Sequence, residues 1–427
     1  MRVPLAVRNL LGELEKRDTP ERFIRATEAV ERLFELALKR LDDGTIFVST
    51  GDIPAMWLRD STWQLRPMLA ACDGTGEVEE IIGAVSRRQA EYVLIDPYAN
   101  AFNEAPNGNG WHKDFKDQNP WVFERKYELD SLAAFIDLAV RLFRVTGYKE
   151  HLDDRFWRAA ALAVGIIETE LDHDRKSYRF VRRYAPKRDY LSHRGYGAPH
   201  ASKVGLSWSG FRPSDDACEL PYLIPANAHA SVVLRQLAEV ARRFDKSELA
   251  SKSSVLGITI GEAVRAHGTV VREVGDIAGL IYAFEVDGQG SQILTEDPNV
   301  PSLLSLPYLG WCAPDDPTYL LTRKWIFSAL NPRFIQGRFL AGLNSSHTPR
   351  RNIWPLALAV QGLTATDLEE SARCLMLIES TDAGTGRVHE SVNVDNPAKF
   401  TREWFSWADL TYVHLVLKVN GLSTKAD

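Results

Sequence analysis

Cysteine is scarce in this sequence, and no two cysteines are close enough to form a CxxC pair. The four are Cys72, Cys218, Cys312 and Cys374. This scarcity argues against a disulfide-rich scaffold or a zinc site made of paired cysteines, because both need closely spaced thiols. We expect free, mostly buried thiols in a reducing cytoplasm, although four cysteines are also compatible with two disulfides.

Long apolar runs and an excess of positive charge are also missing. No stretch approaches the ~18–20 apolar residues of a membrane-spanning helix. Glu13, Glu15 and Asp18 occur before any apolar region of a secretory signal develops. The 51 Lys and Arg residues against 57 Asp and Glu give a net charge of −6, so nothing favours a nucleic acid or an anionic membrane as partner. The sequence therefore predicts a cytoplasmic protein with neither kind of partner, and it leaves the oligomeric state open.

Helical periodicity is the main pattern that is present. Between Thr19 and Gly44, apolar residues recur in steps of three and four, as on one face of an α-helix. Thr19 can cap this helix at its start, and Gly44 can end it. The same pattern occupies 129–143, and less regular stretches bring the total to roughly a dozen helices. Strand signals are few and short, at 45–49, 178–181 and 282–286.

These patterns predict an all-α fold in which residues 1–427 form a single domain, because no Ser-, Gly- or Pro-rich linker divides the chain. Six helical hairpins closing into an (α/α)6 barrel, with a few short strands, would account for the number of helices, although periodicity does not establish closure. The longest connections are rich in Trp, Asp, Glu, His, Asn and Gly. At one end of such a barrel, these long loops would form a deep polar pocket with aromatic walls.

The segment 51–61, GDIPAMWLRDS, contains the first candidate site. Trp57 offers a flat apolar surface for the C–H face of a sugar, and Arg59 and Asp60 offer donors and acceptors for neighbouring hydroxyl groups. Alternatively, Asp60 caps the following helix and Arg59 pairs with it. Both interpretations can hold together.

Three further acidic residues precede or begin the helical pattern at 129–143. On a helix, Glu124 and Glu128 would share one face at i, i+4, with Asp130 nearby. Such carboxylates could bind sugar hydroxyl groups. They could equally be exposed charges paired with Arg125 and Lys126.

Asp215 and Asp216 are adjacent carboxylates at the end of a loop, where a helix is predicted to begin. Simple capping would explain them, because the helix dipole favours negative charge at a helix start. In a catalytic interpretation, one of the two donates a proton, and burial or the neighbouring carboxylate raises its pKa. A site for Mg²⁺ and a diphosphate is disfavoured, because no second acidic cluster of similar density accompanies the pair.

Two acidic residues near the C-terminus are also candidates. Glu390 follows Gly384 and Gly386 in a loop, where it could face a pocket, whereas Glu403 is predicted to begin and cap the last helix. His389 precedes Glu390 without the second histidine of a zinc-binding HExxH motif. Neither a Gly-rich phosphate loop nor a GxSxG elbow occurs, so no metal and no cofactor is expected.

Taken in order, several of these segments resemble glycoside hydrolase family 125, the metal-independent exo-α-1,6-mannosidases, along nearly the whole chain. The matching segments are 51–61, 207–217, 299–304, 353–355 and 389–391. The resemblance implies an (α/α)6 barrel that hydrolyses a terminal α-1,6-linked mannose from the non-reducing end of mannosides or glycans, with inversion. It also implies an Asp as general acid and a Glu as general base. The acid falls on Asp215, with Asp216 as the alternative, and the base on Glu390, with Glu403 as the alternative.

The resemblance also implies a mannose subsite beside these carboxyls, formed by residues of the matching segments, by the acidic residues near 129 and by His347. The residues expected to bind substrate are Trp57, Arg59, Asp60, Glu128, Asp130, Arg212, Asn299, His347 and Trp354.

An inverting glycosidase must place a water molecule between its base and the anomeric carbon. This requirement sets the two carboxyls ~6.5–9.5 Å apart, against ~5–5.5 Å for a retaining enzyme. The base must be ionised and the acid protonated near neutral pH. Two other functions remain open, namely an inverting helical-barrel glycosidase acting on a glucoside or a mannosyl conjugate, and a non-catalytic carbohydrate-binding barrel. The presence of both an acid and a base candidate disfavours the second.

Overall fold

The fold is mostly helical and carries small sheets of two or three short strands. It is given by a computed structural model that describes residues 1–115, 117–173, 177–182 and 185–424. The helices are α1 (Leu5–Glu15), α2 (Pro20–Arg32), α3 (Leu58–Leu65), α4 (Glu77–Ile95), α5 (Leu129–Thr146), α6 (Asp154–Thr169), α7 (Ser192–Gly195), α8 (Ile224–Arg243), α9 (Ser247–His267), α10 (Pro317–Ile326), α11 (Pro355–Leu363), α12 (Leu368–Glu379) and α13 (Ser406–Val419).

The strands are short and pair antiparallel. They are β1 (Leu38–Arg40), β2 (Ile46–Val48), β3 (Met56–Trp57), β4 (Ala101–Phe102), β5 (Val122–Glu124), β6 (Tyr222–Leu223), β7 (Thr269–Val274), β8 (Ile277–Tyr282), β9 (Glu285–Val286), β10 (Gln292–Ile293), β11 (Phe334–Gln336), β12 (Ala341–Leu343), β13 (Asn352–Ile353), β14 (Ser391–Asn393) and β15 (Asn396–Thr401). The three-stranded sheets have the orders β3-β4-β5, β10-β9-β6 and β13-β14-β15, and the remaining strands pair as β1-β2, β7-β8 and β11-β12.

The helices are arranged in two layers. In the inner layer α5 packs between α3 and α8, while α13 packs between α11 and α3. These inner helices are buried along most of their length. Outside them, α4 packs on α5, α9 on α8, α12 on α11 and α2 on α13. One hydrophobic core extends from the side chains of α1 to those of α13.

Several predicted boundaries are confirmed. Helix α5 ends where Gly147 adopts a left-handed φ of 76°, and Thr19 caps α2 by accepting a hydrogen bond from the Arg22 N–H at 3.4 Å. The predicted helix to Gly44 is wrong, because the chain passes through a π-helical turn at Leu33–Ala37 and then enters β1. The apolar residues of β2 need a paired strand, and Gly44, with φ 80°, lies between β1 and β2.

Two of the three predicted strand segments correspond to strands of the structure. The signal at 45–49 corresponds to β2, and the signal at 282–286 falls across the end of β8 and β9. The prediction at 178–181 is wrong, since these residues do not form a strand and the Phe180 N–H instead donates to the carbonyl of Gly195, the last residue of α7, at 2.9 Å.

The cysteines are free thiols, as predicted, with Cys218 and Cys374 buried and Cys72 and Cys312 half-buried. Among the helices of the described ranges, none is both long and apolar enough to cross a bilayer.

Candidate active site

Two small antiparallel sheets bring distant parts of the chain to one cavity. In the first, Trp57 of β3 lies opposite Ala101, which lies opposite Glu124 of β5, so that Asn100 is adjacent to both strands. In the second, β13 pairs with β14 and β14 pairs with β15. Trp354 therefore leaves one strand where Glu390 enters the next.

The cavity has a volume of about 570 Å³, a size typical of small-molecule sites. Most of the residues predicted to form the site line it. These are Trp57, Arg59, Asp60, Asp215, Asn299, His347, Trp354 and Glu390. The predicted residues Glu128, Asp130, Arg212, Asp216 and Glu403 are not among its lining residues.

Asp215 lies in a tight turn, not at a helix start. The turn is closed by a β-bridge between Phe211 and Ala217, and Asp215 has a φ of +63°, which is uncommon for a residue other than glycine. The prediction that the Asp pair opens a helix is wrong, because α8 begins only at Ile224.

Arg212 explains why a turn forms here. Its guanidinium donates to Glu285 at 2.5 Å, and the other Glu285 oxygen accepts from the backbone N–H groups of Glu219 and Leu220. This buried pair attaches the chain around the turn to β9. Arg212 therefore shapes the backbone near Asp215.

The Asp215 side chain is 21% exposed and faces positive charge. It accepts from Arg59 Nη2 at 3.3 Å and from Asn100 Nδ2 at 3.2 Å, while Lys126 donates to its backbone carbonyl at 2.7 Å. Burial alone would raise the pKa of Asp215, but Arg59 and Lys126 outweigh it and hold that pKa at about 2.

Asp216 is turned away from the cavity, with a side chain only 1% exposed. It accepts from the Ser346 hydroxyl at 2.5 Å and from His347 Nδ1 at 3.2 Å. Burial opposes the effect, but His347 and Ser346 lower the pKa of Asp216, and Asp216 in turn raises the pKa of His347 to about 8. Asp216 therefore acts as an ionised support that fixes His347 at the cavity wall.

Arg59 is buried and surrounded by carboxylates. It donates to Glu128 at 2.5 Å and to Asp130 at 3.3 Å, and its Nε lies 3.4 Å from Asp60. Pairing of Arg59 with Asp60 is thus confirmed, whereas Asp60 makes no cap and instead accepts from the Thr50 hydroxyl at 2.5 Å. The fully buried side chains of Glu128 and Asp130 support Arg59 from beneath the cavity.

The predicted helical face shared by Glu124 and Glu128 is wrong. Glu124 ends β5, and α5 begins only at Leu129, so the residues between them are not helical. Glu124 is buried and pairs with Lys126 at 3.4 Å and with Arg182 at 3.0 Å. The alternative of exposed surface charges is therefore also wrong for these carboxylates.

Glu390 lies in the cavity wall and is held by two residues that follow β14 in the chain. Its carboxylate accepts from the Thr401 hydroxyl at 2.9 Å and from Arg402 Nη1 at 3.4 Å. Arg402 has a φ of 38° and also donates to the Thr50 carbonyl at 2.9 Å. Such a backbone conformation in a bulky residue is kept only where its surroundings enforce it.

Glu403 is an exposed residue that pairs with Arg387 at 2.6 Å. Its predicted position at the start of the last helix is wrong, because α13 begins at Ser406. The chain between Arg402 and Ser406 is constrained by Gly51, whose φ is +96° and which leaves no room for a side chain beside the Trp404 carbonyl.

Sequence reasoning missed several lining residues, notably Lys126, Arg402 and Trp407. It also missed Trp111 and His112, which lie at the cavity rim in the connection between β4 and β5. Trp111 is 56% exposed and packs edge-on against Phe123 at 5.3 Å. An exposed tryptophan next to Gly and Asn residues is the signal that could have identified this rim.

The neck of that connection is closed by backbone hydrogen bonds, such as Asn103 N–H to the Trp121 carbonyl at 2.8 Å, and by the Asn103 side chain. Asn103 Nδ2 donates to the carbonyls of Asn109 at 2.9 Å and Pro120 at 3.0 Å. The strands on either side are therefore tied together independently of the residues at the rim.

Charged side chains of both signs line this cavity. Within the part of the chain that the structure describes, no group of three or more His, Cys, Asp or Glu residues has the arrangement of a metal site. A cavity with several carboxylates, several cations and aromatic walls is suited to binding hydroxyl groups and to proton transfer.

Comparisons with known proteins agree with this chemistry. Residues 23–417 match the sequence profile of the family described as metal-independent alpha-mannosidase (GH125). The chain is 36% identical over 420 residues to the meiotically up-regulated gene 157 protein of Schizosaccharomyces pombe, covering 91% of this chain and 82% of that protein.

Among solved structures, the chain resembles a metal-independent alpha-mannosidase from Streptococcus pneumoniae in a non-productive complex with alpha-1,6-mannobiose. The two share 42% identity with a TM-score of 0.94, over 98% of this chain and 99% of that one. A more distant likeness, with 16% identity and a TM-score of 0.55, is to a bacterial glucoamylase complexed with acarbose, over 87% of this chain and 49% of that one.

Proposed function

The chain belongs to the family of metal-independent α-mannosidases, glycoside hydrolase family 125, and from this premise we propose the substrate and mechanism of its activity. The substrate is a terminal α-1,6-linked mannose at the non-reducing end of small mannosides or glycans, and the reaction inverts the anomeric carbon. The complex of the pneumococcal relative with alpha-1,6-mannobiose supports this linkage. Arg59, Asp60 and Trp407 are almost fully buried yet line the cavity, which supports a closed base and hence exo action.

The observation that carries the mechanism is the pair of carboxyls, Asp215 and Glu390, on one cavity. We assign Asp215 as the general acid and Glu390 as the general base. The exposure of Asp215 favours it over Asp216, which is engaged with His347. The pairing of Glu403 with Arg387, away from the cavity lining, favours Glu390 as the base.

In this mechanism Asp215 donates its proton to the glycosidic oxygen as the bond to the anomeric carbon breaks. A water molecule attacks the opposite face of the sugar and gives its proton to Glu390. Thr401 and Arg402 donate hydrogen bonds to Glu390 and so hold its carboxylate in the cavity wall. Arg59, Asp60 and His347 supply donors and acceptors for the mannose hydroxyls, and Trp57 and Trp354 supply the apolar walls.

We also propose that residues 1–427 form one (α/α)6 barrel domain that functions in the cytoplasm. Packing of α13 against α3 brings the last inner helix beside the first, as closure requires. The large hydrophobic core that extends from α1 to α13 and the fold likeness to bacterial glucoamylase support the same arrangement. The free thiols are consistent with a reducing compartment.

The decisive experiment is NMR of the first-formed sugar during hydrolysis of α-1,6-mannobiose. Initial release of β-mannose is expected from the wild-type enzyme, whereas initial α-mannose would contradict inversion. Asp215→Asn and Glu390→Gln should lower turnover by about 10²–10⁴-fold, since each removes one proton-transfer group. Glu403→Gln is the matched control and should keep near-normal turnover.

Other outcomes would redirect the assignment. Near-normal turnover in Glu390→Gln together with loss in Glu403→Gln would make Glu403 the base. Asp216→Asn should lower turnover less than Asp215→Asn, and the reverse order would make Asp216 the acid. Preferential hydrolysis of an aryl glucoside, or mannoside binding without product release, would contradict the proposed substrate or the proposed catalysis.

A further inference from the structure

The cavity is larger than a single mannose. Its volume is about 570 Å³, whereas a mannose has the bulk of roughly a dozen water molecules, or at most about 360 Å³ at ~30 Å³ for each water in the liquid. Arg59, Asp60 and Trp407 line the closed base that takes this mannose. The space above the base is therefore available for the group to which the mannose is attached.

The base and the acid assign a side of the cavity to that group. In an inverting reaction the attacking water and the leaving group lie on opposite faces of the sugar, with the water next to the base. Glu390 is held by Thr401 and Arg402, so these residues mark the side from which water attacks. The leaving group consequently lies on the side of Asp215.

Lys126 and Asp189 line the cavity on this side. Lys126 donates to the Asp215 carbonyl at 2.7 Å, and the Arg188 carbonyl accepts from the Ala217 N–H at 2.7 Å, so both residues are attached to the turn that holds the acid. The Asp189 carboxylate lies 3.6 Å from the Lys126 ammonium, which is too long for a hydrogen bond, and its side chain is 22% exposed. Its oxygens can therefore accept hydrogen bonds from sugar hydroxyl groups.

Trp111 belongs to the same wall, at the rim of the cavity. The Phe123 ring of β5 packs edge-on against Trp111 at 5.3 Å and packs tilted against Trp57 at 5.7 Å. One aromatic ring thus separates the indole of the inner wall from the indole at the rim. Strand β5 ends at Glu124, which pairs with Lys126 at 3.4 Å, so the rim aromatic and Lys126 flank the same strand.

The backbone holds Trp111 in place although its side chain is 56% exposed. A Cβ at Gly110 would overlap the Phe123 carbonyl, so the chain before Trp111 lies directly against β5. The indole then offers a flat apolar face with little conformational freedom to lose on binding. Such a face suits the C–H side of a sugar ring.

We propose that Trp111 and Asp189 form the subsite for the leaving-group sugar. Trp111 covers the C–H face of that sugar, and Asp189 accepts hydrogen bonds from its hydroxyl groups. The enzyme thereby selects a sugar over a small leaving group, because contacts to a part of the substrate that does not react contribute to the rate of bond cleavage. The inference rests on the proposed function, in which Asp215 is the acid.

The test compares two substrates in Trp111→Ala. The leaving group of α-1,6-mannobiose is a mannose, whereas that of α-mannosyl fluoride is a single atom that does not reach the rim. The value of kcat/KM for mannobiose should fall about 10- to 100-fold, because the apolar contact with one sugar face is lost. The value for the fluoride should stay within about two-fold of wild type. Trp111→Phe keeps an aromatic face and should recover most of the loss.

Phe339→Ala is the matched control, because Phe339 is also 56% exposed and is not among the residues that line the cavity. It should leave the hydrolysis of both substrates unchanged. Equal losses on the two substrates in Trp111→Ala, or unchanged hydrolysis of mannobiose, would overturn the inference. A wild-type enzyme that cleaves the fluoride but not mannobiose would overturn it as well, whereas cleavage of neither would contradict the proposed function itself.

Asp189→Asn tests the second residue of the subsite. Direct contact with the leaving-group sugar predicts a loss of about 10-fold on mannobiose, because a charged acceptor becomes a neutral one, and little change on the fluoride. An effect passed through Lys126 to Asp215 would instead change both substrates equally. That outcome would remove Asp189 from the proposed subsite.

Discussion

Removal of the Arg59 guanidinium provides the most direct test of how the site is held together. In Arg59→Met, a side chain of similar length replaces the buried cation that contacts Glu128, Asp130, Asp215 and Asp60. The surrounding carboxylates then lose the one buried cation that all four of them share. At least one of them must take up a proton on folding, because an unpaired buried charge is far less favourable than a neutral carboxyl.

The magnitude follows from the ordinary pKa of an aspartate, 3.8. Keeping one such carboxyl neutral at pH 7 costs about 4 kcal/mol of unfolding free energy, and at pH 5 about 1.5 kcal/mol. The sign follows from linkage, since a carboxyl whose folded pKa lies above its unfolded value favours the folded state only at lower pH. The deficit of Arg59→Met relative to wild type should therefore grow as pH rises from 5 to 7.

Urea unfolding of both proteins at pH 5 and pH 7 measures this difference. The control is Arg40→Met, because Arg40 pairs with Glu80 at 3.4 Å on the surface, where its side chain is 42% exposed. It should change the unfolding free energy by less than about 1 kcal/mol at either pH. A loss below about 1 kcal/mol in Arg59→Met at pH 7, or an equal loss at both pH values, would refute the reasoning.

Two further predictions concern parts of the structure that support the cavity. Asp216 raises the pKa of His347 from 6.5 to about 8, so wild-type stability should fall as pH rises through this range. This pH-dependent contribution to the free energy of unfolding is about 1 kcal/mol, because the His347 side chain is 35% exposed and solvent weakens its pairing. Unfolding curves of His347→Gln at pH 6 and pH 9 should lack this contribution. A pH dependence equal to that of the wild type would contradict the pairing of His347 with Asp216. Gly51→Ala should lower stability by about 2–4 kcal/mol, because a backbone carbonyl lies 2.6 Å from the added Cβ at a φ of +96°. Gly44→Ala, with φ +80° and open space around it, should lose only about 1 kcal/mol, and equal melting temperatures for the two variants would show that the close contact does not matter.

The helices were the most predictable part of the molecule. The apolar period at 129–143 and Gly147 located α5 because both features are local: one face packs inward and a left-handed residue ends the helix. The helix predicted up to Gly44 was wrong because an apolar period shows which residues are buried but not which backbone conformation buries them. There the buried residues of β2 required a strand partner, which replaced the last turns of the predicted helix.

The site was predictable where one segment supplies its chemistry, as for Trp57, Asp215 and Glu390. It was not predictable where a distant residue decides the local backbone. The turn at Asp215 depends on a contact between Arg212 and Glu285, which are 73 residues apart, and no local pattern reports such a pairing.

Lys126 illustrates the second kind of failure. Between Arg125 and Tyr127, near several acidic residues, it resembles an exposed charge. It is buried because Glu124 and the Asp215 carbonyl satisfy its ammonium group, and neither contact follows from its position in the sequence.

The excursion between β4 and β5 is joined to the carboxyl cluster at two places, because Asn103 ties its neck and Asp114 pairs with Arg182, which also pairs with Glu124. Trp111 and His112 extend beyond this tie, while Asn100 and Glu124 lie on the other side of it, in or beside paired strands. An exchange of this excursion that keeps Asp114 would therefore preserve the position of Arg182, whereas an exchange that removes Asp114 would leave Arg182 with Glu124 alone and change the charges next to Lys126.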